Sequence, residues 1–377
     1  MRGAWSGVQP CRSRGDDPVS SRPAAWHVEP GRVKVVVRAW VKGVALKRRV
    51  SFLLLLASLI LSACGGGASN GGGSGPEEGS PGGGETAASS ATAGGEGEIV
   101  VEHALGRTTV LRNPQKVVAF DFGVVDSLDR LGVQVTGVPQ ANVPAYLEKY
   151  KGDPYINVGS LMEPDFEAIS ELEPDVIFIS GRQRDYYKQF QELAPTVYMA
   201  VDPSRYMDSF KENMRLLGKI FGREEQVEAE LARIDEKVEA LRQRVEALDA
   251  RKALVVLVSD RNITVFGPKS RFGLVYDEFG FEPVDPNIEP STHGMNVSFE
   301  YLAEKNPDFL FVIDRNSVVG GEGLPPAQQV LDNELVRGTK AFQNGNVVYL
   351  APDVWYLAGG GLESVARMID QVAEALK

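Results

Sequence analysis

The chain has 377 residues, with 40 lysines and arginines, 51 aspartates and glutamates, three histidines and two cysteines. Residues 1–63 hold 11 of the basic and three of the acidic side chains, which leaves 29 against 48 in the remainder, a net charge of about −19. So acidic a body argues against nucleic acid as a partner. With only two histidines and no cysteine beyond residue 64, a zinc or manganese site built from several imidazoles or thiolates is excluded.

Residues 45–64 have the features of a secretory signal and read ALKRRVSFLLLLASLILSAC. A basic cluster precedes an apolar run and then small residues before a cysteine. The run is shorter than the ~20 residues of a membrane-spanning helix, and three glycines follow it. The tetrapeptide LSAC at 61–64 resembles the bacterial lipobox, whose cysteine is diacylated. We therefore predict a signal peptide at 44–63 and an extracytoplasmic protein anchored to the cell membrane through lipidated Cys64.

The segments on either side of this signal predict no folded structure. Residues 1–43 look unlike the short basic start of a signal, and we expect a misassigned translation start there, with Val41 or Val44 as the initiation codon. Residues 64–97 are rich in Gly, Ser, Ala, Glu and Thr and predict a flexible, lipid-anchored tether, because they lack apolar groups to offset the entropy of ordering. Roughly 280 residues remain, which favours two lobes over one domain.

The pattern of the remaining chain predicts an α/β protein. Buried parallel strands are expected at the β-branched runs 116–120, 175–179 and 253–258. Apolar residues spaced three and four apart predict one long amphipathic helix from about Arg223 to Ala250, roughly 40 Å in length. The expected division is an N-terminal lobe at 98–220, a linking helix at 221–250 and a C-terminal lobe at 251–377. A coiled-coil segment for dimerisation is the alternative for the helix.

A weak internal repeat supports two lobes. Residues 164–178 match residues 297–311, with Phe-Glu followed by Pro-Asp at the same offset. Each copy predicts a helix, a turn and a strand, once on either side of the long helix. Glu167 and Glu300 occupy equivalent positions in the two copies.

Several arginines and one histidine occur in turn-like settings. They lie in Ser180-Gly181-Arg182, Ser270-Arg271-Phe272-Gly273, Ser291-Thr292-His293-Gly294 and Asp314-Arg315-Asn316. The first and last follow predicted strands, where α/β proteins bind ligands. Each arginine alone could equally be a solvated ion-pair partner, His293 a turn residue, and Tyr356 a core aromatic.

Two features bear on catalysis and on phosphate binding. The chain has no nucleophile-elbow motif and no helix with paired histidines, so it offers no obvious catalytic machinery. The run Gly359-Gly360-Gly361 lacks the spacing and the lysine of a nucleotide loop. It favours close packing of the last helix over an anion site.

These turn segments, together with Phe120-Asp121-Phe122-Gly123 and Trp355-Tyr356-Leu357, resemble catecholate-siderophore-binding proteins of ABC importers. The resemblance extends from about residue 103 to the end. It implies the class III periplasmic-binding-protein fold, in which two Rossmann-like α/β lobes are joined by one long backbone helix. It also places the family's arginine triad on Arg182, Arg271 and Arg315, and its two protein ligands to iron on His293 and Tyr356.

The chemistry of these residues suits that ligand. Ferric iron with three catecholates carries a charge of about −3, and guanidinium groups match planar anionic oxygens as bidentate donors. A bis-catecholate leaves two positions on iron open, which a phenolate and an imidazole fill.

The resemblance further implies a monomeric binding protein and no enzyme. A ferric siderophore, of the petrobactin type or a bis-catecholate, is the transported ligand, and no cofactor is permanently bound. The protein would pass its ligand to an ABC transporter permease and its ATPase for iron uptake, with Glu167 and Glu300 docking the permease. The alternatives are a haem or cobalamin binder of the same fold and, in a different class, a siderophore esterase.

Overall fold

The structure is a computed structural model that describes residues 91–93, 97–319, 321 and 323–376. The predicted N-terminal extension, the signal peptide and Cys64 lie outside the described residues, as does most of the predicted tether. The described chain begins with an antiparallel sheet of three strands, in the order β1-β2-β3. They are β1 (Ala91–Ala93), β2 (Glu98–His103) and β3 (Gly106–Leu111).

The first lobe contains a parallel sheet of five strands in the order β6-β5-β4-β7-β8. They are β4 (Val117–Ala119), β5 (Gly137–Val138), β6 (Ile156–Asn157), β7 (Val176–Ile179) and β8 (Thr196–Tyr198). The central strands β4 and β7 are entirely buried, as their uninterrupted apolar sequence predicts. The strand order reverses between β4 and β7, and α/β sheets bind ligands in the crevice beyond the carboxyl ends at such a point.

The helices of the first lobe connect these strands and cover the sheet. They are α1 (Phe122–Arg130), α2 (Phe166–Leu172), α3 (Tyr187–Leu193) and α4 (Tyr206–Phe221), with 3-10 turns at Ala145–Tyr150, Gly181–Tyr186 and Pro203–Arg205. Asp121 caps α1, because its carboxylate accepts hydrogen bonds from the amides of Gly123 and Val124.

The second lobe contains a mixed sheet of six strands, in the order β12-β10-β9-β13-β14 with β11 paired to β9. They are β9 (Lys252–Ser259), β10 (Asn262–Phe266), β11 (Glu282–Pro283), β12 (Met295–Val297), β13 (Phe309–Asp314) and β14 (Val347–Leu350). Strands β9, β13 and β14 are parallel, whereas β10 is antiparallel to β9 and β12. The chain order reverses here between β9 and β13.

Short helices connect the strands of the second lobe, and a longer one ends the chain. They are α6 (Leu274–Asp277), α7 (Phe299–Lys305), α8 (Asn316–Val319), α9 (Ala327–Val330), α10 (Glu334–Arg337), α11 (Lys340–Gln343), a π-helical turn at Asp353–Leu357 and α12 (Leu362–Ala375). Helix α12 packs against both α1 and the long helix α5 (Glu224–Glu246). In the part of the chain that the structure describes, no helix is both long and apolar enough to cross a membrane.

Helix α5 is the predicted linking helix, and it ends four residues before the expected boundary at Ala250. Its apolar stripe is buried within this chain and consists of Val227, Leu231, Ile234, Val238, Leu241 and Val245. Glu230 pairs with Arg130 of α1 at 2.9 Å, and Lys237 pairs with Asp370 of α12 at 2.6 Å. Because the stripe packs inside the same chain, the coiled-coil alternative is wrong.

The internal repeat corresponds to two similar pieces of structure. In the first lobe the amide of Asp175 donates to the carbonyl of Lys116, and the carboxylate of Asp175 accepts from the amide of Lys116, both at 2.8 Å. In the second lobe Asp308 makes the same pair of bonds with Lys252, at 2.8 and 3.1 Å. The Pro-Asp of each copy therefore joins the start of one central strand to the start of the next.

We expect Ile234→Ala to lower the free energy of unfolding by about 2–5 kcal/mol, because it leaves a cavity at a fully buried position of α5. Urea unfolding followed by circular dichroism measures this. Glu236→Ala, on the exposed side of the same helix, is the control and should change stability by less than about 0.5 kcal/mol. A midpoint that rises with protein concentration would contradict the packing of this apolar stripe within a single chain.

Candidate ligand site

Three arginines from distant parts of the chain converge on Tyr356. Arg182 lies in the 3-10 turn that follows β7, Arg271 between β10 and α6, and Arg315 directly after β13. One Nη atom of Arg182 and one of Arg271 donate to the backbone carbonyl of Tyr356, at 2.6 and 2.7 Å. Nε of Arg315 donates to the phenolic oxygen at 3.0 Å. The structure therefore brings together four of the five predicted ligand residues.

The backbone at Tyr356 makes this convergence possible. Tyr356 lies in the π-helical turn, a rare conformation that is frequent at functional sites. Its carbonyl oxygen accepts hydrogen bonds from two guanidinium groups, and its ring lies close to the guanidinium groups of all three arginines. The guanidinium carbon of Arg271 is 4.2 Å from the ring centroid, and those of Arg182 and Arg315 are 5.6 and 5.8 Å away. These contacts include cation–π attraction as well as hydrogen bonds.

The cluster carries positive charge that no acidic side chain of the described residues balances. Within the described residues, no carboxylate forms an ion pair with Arg182, Arg271 or Arg315. Burial, together with repulsion from Arg182 and Arg315, lowers the pKa of Arg271 to about 10. An anion placed among the three guanidinium groups would relieve this repulsion.

The same charges act on the phenol. Burial alone would raise the pKa of Tyr356, but the hydrogen bond from Arg315 and the charges of the three arginines outweigh it, and the pKa is lowered. A phenol that loses its proton more readily is a better oxygen ligand for a hard cation such as ferric iron.

Each lobe places one arginine at the point where its strand order reverses. Arg182 follows β7, at the reversal between β4 and β7. Arg315 follows β13, and its Nη1 donates to the hydroxyl of Ser259 at the end of β9, 3.1 Å away. The two lobes thus contribute to the cluster from the positions where α/β folds bind ligands.

His293 lies beside this cluster without touching it. The hydroxyl of Ser291 accepts hydrogen bonds from the amides of His293 and Gly294, at 3.0 and 3.2 Å. The carbonyl of Ser291 also accepts from the amide of Arg271 at 3.4 Å. The imidazole is exposed and makes no hydrogen bond to another described residue. His293 therefore belongs to a turn tied to Arg271, with its side chain free to meet a ligand.

The other histidine of the folded chain has a structural position. His103 is buried at the end of β2, where its Nε2 lies 3.1 Å from the hydroxyl of Thr108. Burial lowers its pKa, so it packs as a neutral side chain.

Glu167 and Glu300 both lie in the first turn of a helix, in α2 and α7 respectively. Both are exposed, and neither pairs with a basic side chain among the described residues. A hydrogen bond with Ser298 lowers the pKa of Glu300. Their predicted role in docking rests on this exposed and equivalent placement.

A buried carboxylate that the sequence did not suggest supports the loop after Tyr356. Asp126 in α1 is 1 % exposed and accepts hydrogen bonds from the amides of Glu363 and Ser364, at 3.2 and 2.9 Å, and from the hydroxyl of Tyr146 at 3.0 Å. Its carboxylate therefore binds the backbone amides at the start of α12. The only signal in the sequence is an acid within the apolar stretch of α1.

Close packing, as predicted, explains the glycine run before α12. A Cβ added at Gly361 would collide with the carboxylate of Asp126. The hydroxyl of Ser364 accepts from the amide of Gly361 at 2.9 Å and donates to the carbonyl of Ala358 at 2.6 Å. The loop that follows Tyr356 is therefore fixed against α1.

Comparison with known proteins agrees with this fold. The periplasmic binding protein family matches residues 117–354. The petrobactin-binding protein YclQ of Bacillus subtilis is 47% identical over 284 residues, 74% of this chain and 89% of that protein. The ferric-anguibactin-binding protein FatB of Vibrio anguillarum is 36% identical over 282 residues, 74% of this chain and 87% of that protein.

A solved structure shows the same architecture. The crystal structure of the periplasmic catecholate-siderophore binding protein VctP from Vibrio cholerae superposes with a TM-score of 0.70 at 37% identity. The superposition covers 74% of this chain and 99% of the VctP chain. The chain therefore belongs to the periplasmic binding protein family, with the two-lobed fold and backbone helix of its class III members.

Asp126 makes stability depend on pH in a defined direction. Burial raises its pKa to about 7 despite its hydrogen bonds, against 3.8 for a free side chain. At a pH between these two pKa values, Asp126 is protonated in the folded protein and ionised in the unfolded chain. The contribution of Asp126 to the free energy of unfolding therefore falls as pH rises. We expect the free energy of unfolding of the parent, relative to that of Asp126→Asn, to decrease from pH 4 to pH 8.

Urea unfolding at several pH values measures this difference. The exposed Asp185→Asn is the control and should follow the parent at every pH. A difference between the parent and Asp126→Asn that stays constant with pH would contradict the assignment.

Proposed function

We propose that this protein binds a ferric catecholate siderophore outside the cytoplasm and delivers it to an ABC transporter permease for iron uptake. The observation that carries the proposal is the cluster of three arginines around Tyr356, without a balancing carboxylate among the described residues. The relatives support the same ligand class, since they are named for petrobactin, for ferric anguibactin and for catecholate siderophores.

The arginines would bind the anionic catecholate oxygens. Guanidinium groups offer paired donors in a plane, which fits the adjacent oxygens of a catechol bound to iron. A compact polyanion balances three positive charges better than a macrocycle with mostly apolar faces does. This favours a ferric siderophore over haem or cobalamin. The proposal involves no covalent chemistry, because binding and release suffice for transport.

Tyr356 and His293 would complete the coordination of iron when a siderophore supplies only two catechols. The lowered pKa of Tyr356 favours a phenolate ligand. The imidazole of His293 is exposed and makes no hydrogen bond to another described residue, so no bond within the described chain has to break before it reaches iron. The amide of Arg271 donates to the carbonyl of Ser291, and the amide of His293 donates to the hydroxyl of the same serine, so an anion drawn to Arg271 would lie near the histidine.

The signal, Cys64 and two exposed glutamates support a location and a partner for this protein. The signal at 44–63 and Cys64 would place the protein at the outer face of the cell membrane, held by a lipid and a flexible tether. A monomer in this position would meet the permease, whose ATPase supplies the energy for transport. Glu167 and Glu300, one on each lobe, would pair with cationic side chains of the permease.

A fluorescence titration tests the ligand. Trp355 is the only tryptophan beyond Cys64, and it lies next to Tyr356 with its indole nitrogen bonded to Gln371 at 2.9 Å. We expect saturable quenching by ferric bis- and tris-catecholates in soluble protein that begins at Gly65. A ferric hydroxamate and haem should have no such effect.

Variants in the same titration test the iron ligands. His293→Ala combined with Tyr356→Phe should weaken bis-catecholate binding at least about tenfold and tris-catecholate binding much less, because only the former needs protein ligands. Loss of the phenolate-to-iron charge-transfer band is a second readout. Quenching by haem alone, or by none of these compounds, would overturn the proposal.

A double substitution tests docking. We expect Glu167→Ala with Glu300→Ala to leave siderophore affinity unchanged and to abolish uptake of radiolabelled ferric siderophore by cells. Glu171→Ala with Glu304→Ala is a matched control, since these residues lie one turn later on the same two helices and are also exposed. Normal uptake by the first variant, or equal loss in both, would exclude the docking role.

A further inference from the structure

A short chain of hydrogen bonds links Asp126 to the turn that carries Tyr356. The carboxylate of Asp126 accepts from the amide of Ser364, at the start of α12, at 2.9 Å. The hydroxyl of Ser364 donates to the carbonyl of Ala358 at 2.6 Å and accepts from the amide of Gly361 at 2.9 Å. Ala358 is fully buried and lies two residues after Tyr356. A change at Asp126 therefore reaches this turn through Ser364.

These bonds cross from the first lobe to the second. Asp126 lies in α1 of the first lobe, and it also accepts from the hydroxyl of Tyr146 in a 3-10 turn of the same lobe, at 3.0 Å. Tyr356 and Ser364 both follow β14, the last strand of the second lobe. Asp126 thus attaches the Tyr356 turn to the opposite lobe.

The surroundings of Asp126 favour a carboxyl group that carries a proton. The side chain is buried, and no basic side chain of the described residues pairs with it. The hydroxyl of Ser127 has one hydrogen, which it donates to the carbonyl of Gly123 at 2.6 Å. The same oxygen lies 3.4 Å from Oδ1 of Asp126, so a proton on Oδ1 supplies the donor for this contact. An ionised carboxylate would be a buried charge without a basic partner.

The titratable and charged groups that face Asp126 and its neighbours come from several segments. They are Tyr146 of the 3-10 turn, Tyr206 of α4, Asp121 before α1, Asp353 of the π-helical turn, and Glu363 and Arg367 of α12. The nearby cation, Arg367, pairs with Glu363 at 2.8 Å and lies 4.8 Å from the ring centroid of Tyr146. Burial raises the pKa of both phenols above their usual range, so neither ionises near neutral pH. Burial also raises the pKa of Asp126 to about 7, so its charge changes in that range.

We propose that protonated Asp126 positions Tyr356 for ferric catecholate binding through Ser364, so that affinity falls as pH rises past neutrality. Ionisation places a buried negative charge between α1 and the start of α12, and this charge reaches water when the two helices separate there. Ser364 moves with the start of α12, and the Tyr356 turn then loses an attachment to the first lobe. Binding uses Tyr356 among the arginines, so it favours the protonated carboxyl. The inference rests on the proposed function and adds a positioning residue to it.

The test measures affinity at pH 6 and pH 8 in the lipid-anchored protein in detergent, by the fluorescence of Trp355. The probe is the ferric complex of a bis-catecholate built from 2,3-dihydroxybenzoyl groups. From pH 6 to pH 8, the Kd of the parent should rise at least about fivefold more than that of Asp126→Asn. Asparagine is neutral at both pH values and keeps an oxygen that accepts from Ser364 and Tyr146. The ratio of the two constants removes the pH dependence of the ligand itself.

A second variant tests the route from Asp126 to the site. Ser364→Ala removes the hydroxyl that holds Ala358 but keeps the amide that bonds to Asp126. It should weaken binding at pH 6 and bring its own change in Kd from pH 6 to pH 8 within about twofold of that of Asp126→Asn. The phenolate-to-iron charge-transfer band at saturating ligand is a further readout. It should weaken from pH 6 to pH 8 in the parent and stay constant in Asp126→Asn.

Asp249→Asn, at an exposed position beyond α5, is the control and should follow the parent at both pH values. The inference is wrong if the parent and Asp126→Asn change equally with pH, or if Ser364→Ala keeps the full pH dependence of the parent. Should circular dichroism show Asp126→Asn to be unfolded, the comparison of Ser364→Ala with the parent decides the same question. A parent protein that binds no ferric catecholate at either pH would instead refute the proposed function, and this inference with it.

Discussion

The arrangement of the molecule depends on holding three guanidinium groups around one tyrosine. Like charges at this distance repel, and burial together with this repulsion lowers the pKa of Arg271. Hydrogen bonds to the carbonyl and hydroxyl of Tyr356 offset part of it and fix the three side chains in place. Side chains fixed in this way would lose less entropy on binding an anion.

The fold supplies this cluster by using one structural device twice. Each sheet reverses its strand order next to its first strand, and an arginine follows the strand across the reversal, Arg182 in one lobe and Arg315 in the other. A ligand held between them contacts both lobes, so its binding favours one separation of the lobes over others. Helix α5 forms ion pairs with α1 of the first lobe and with α12 of the second.

The turn that carries Tyr356 is tied to the first lobe, although it follows β14 of the second. The carboxylate of Asp353 accepts from the amide of Ala145 at 3.2 Å before Tyr356, and Asp126 holds the start of α12 after it. Tyr356 is therefore fixed to the first lobe, which also carries Arg182. Arg271, Arg315 and His293 come from the second sheet and its loops.

The sequence by itself determined the α/β class, the long helix and the repeat, because apolar periodicity records which residues are buried along a local segment. The stripe from Val227 to Val245 and the buried runs of β4, β7 and β9 were predictable for this reason. The resemblance to a known family supplied the site residues, but only the tertiary structure showed that three arginines meet at Tyr356. Their contacts span 174, 85 and 41 positions. The exposed place of His293 and the buried Asp126 were likewise decided by packing between distant segments, which no local pattern encodes.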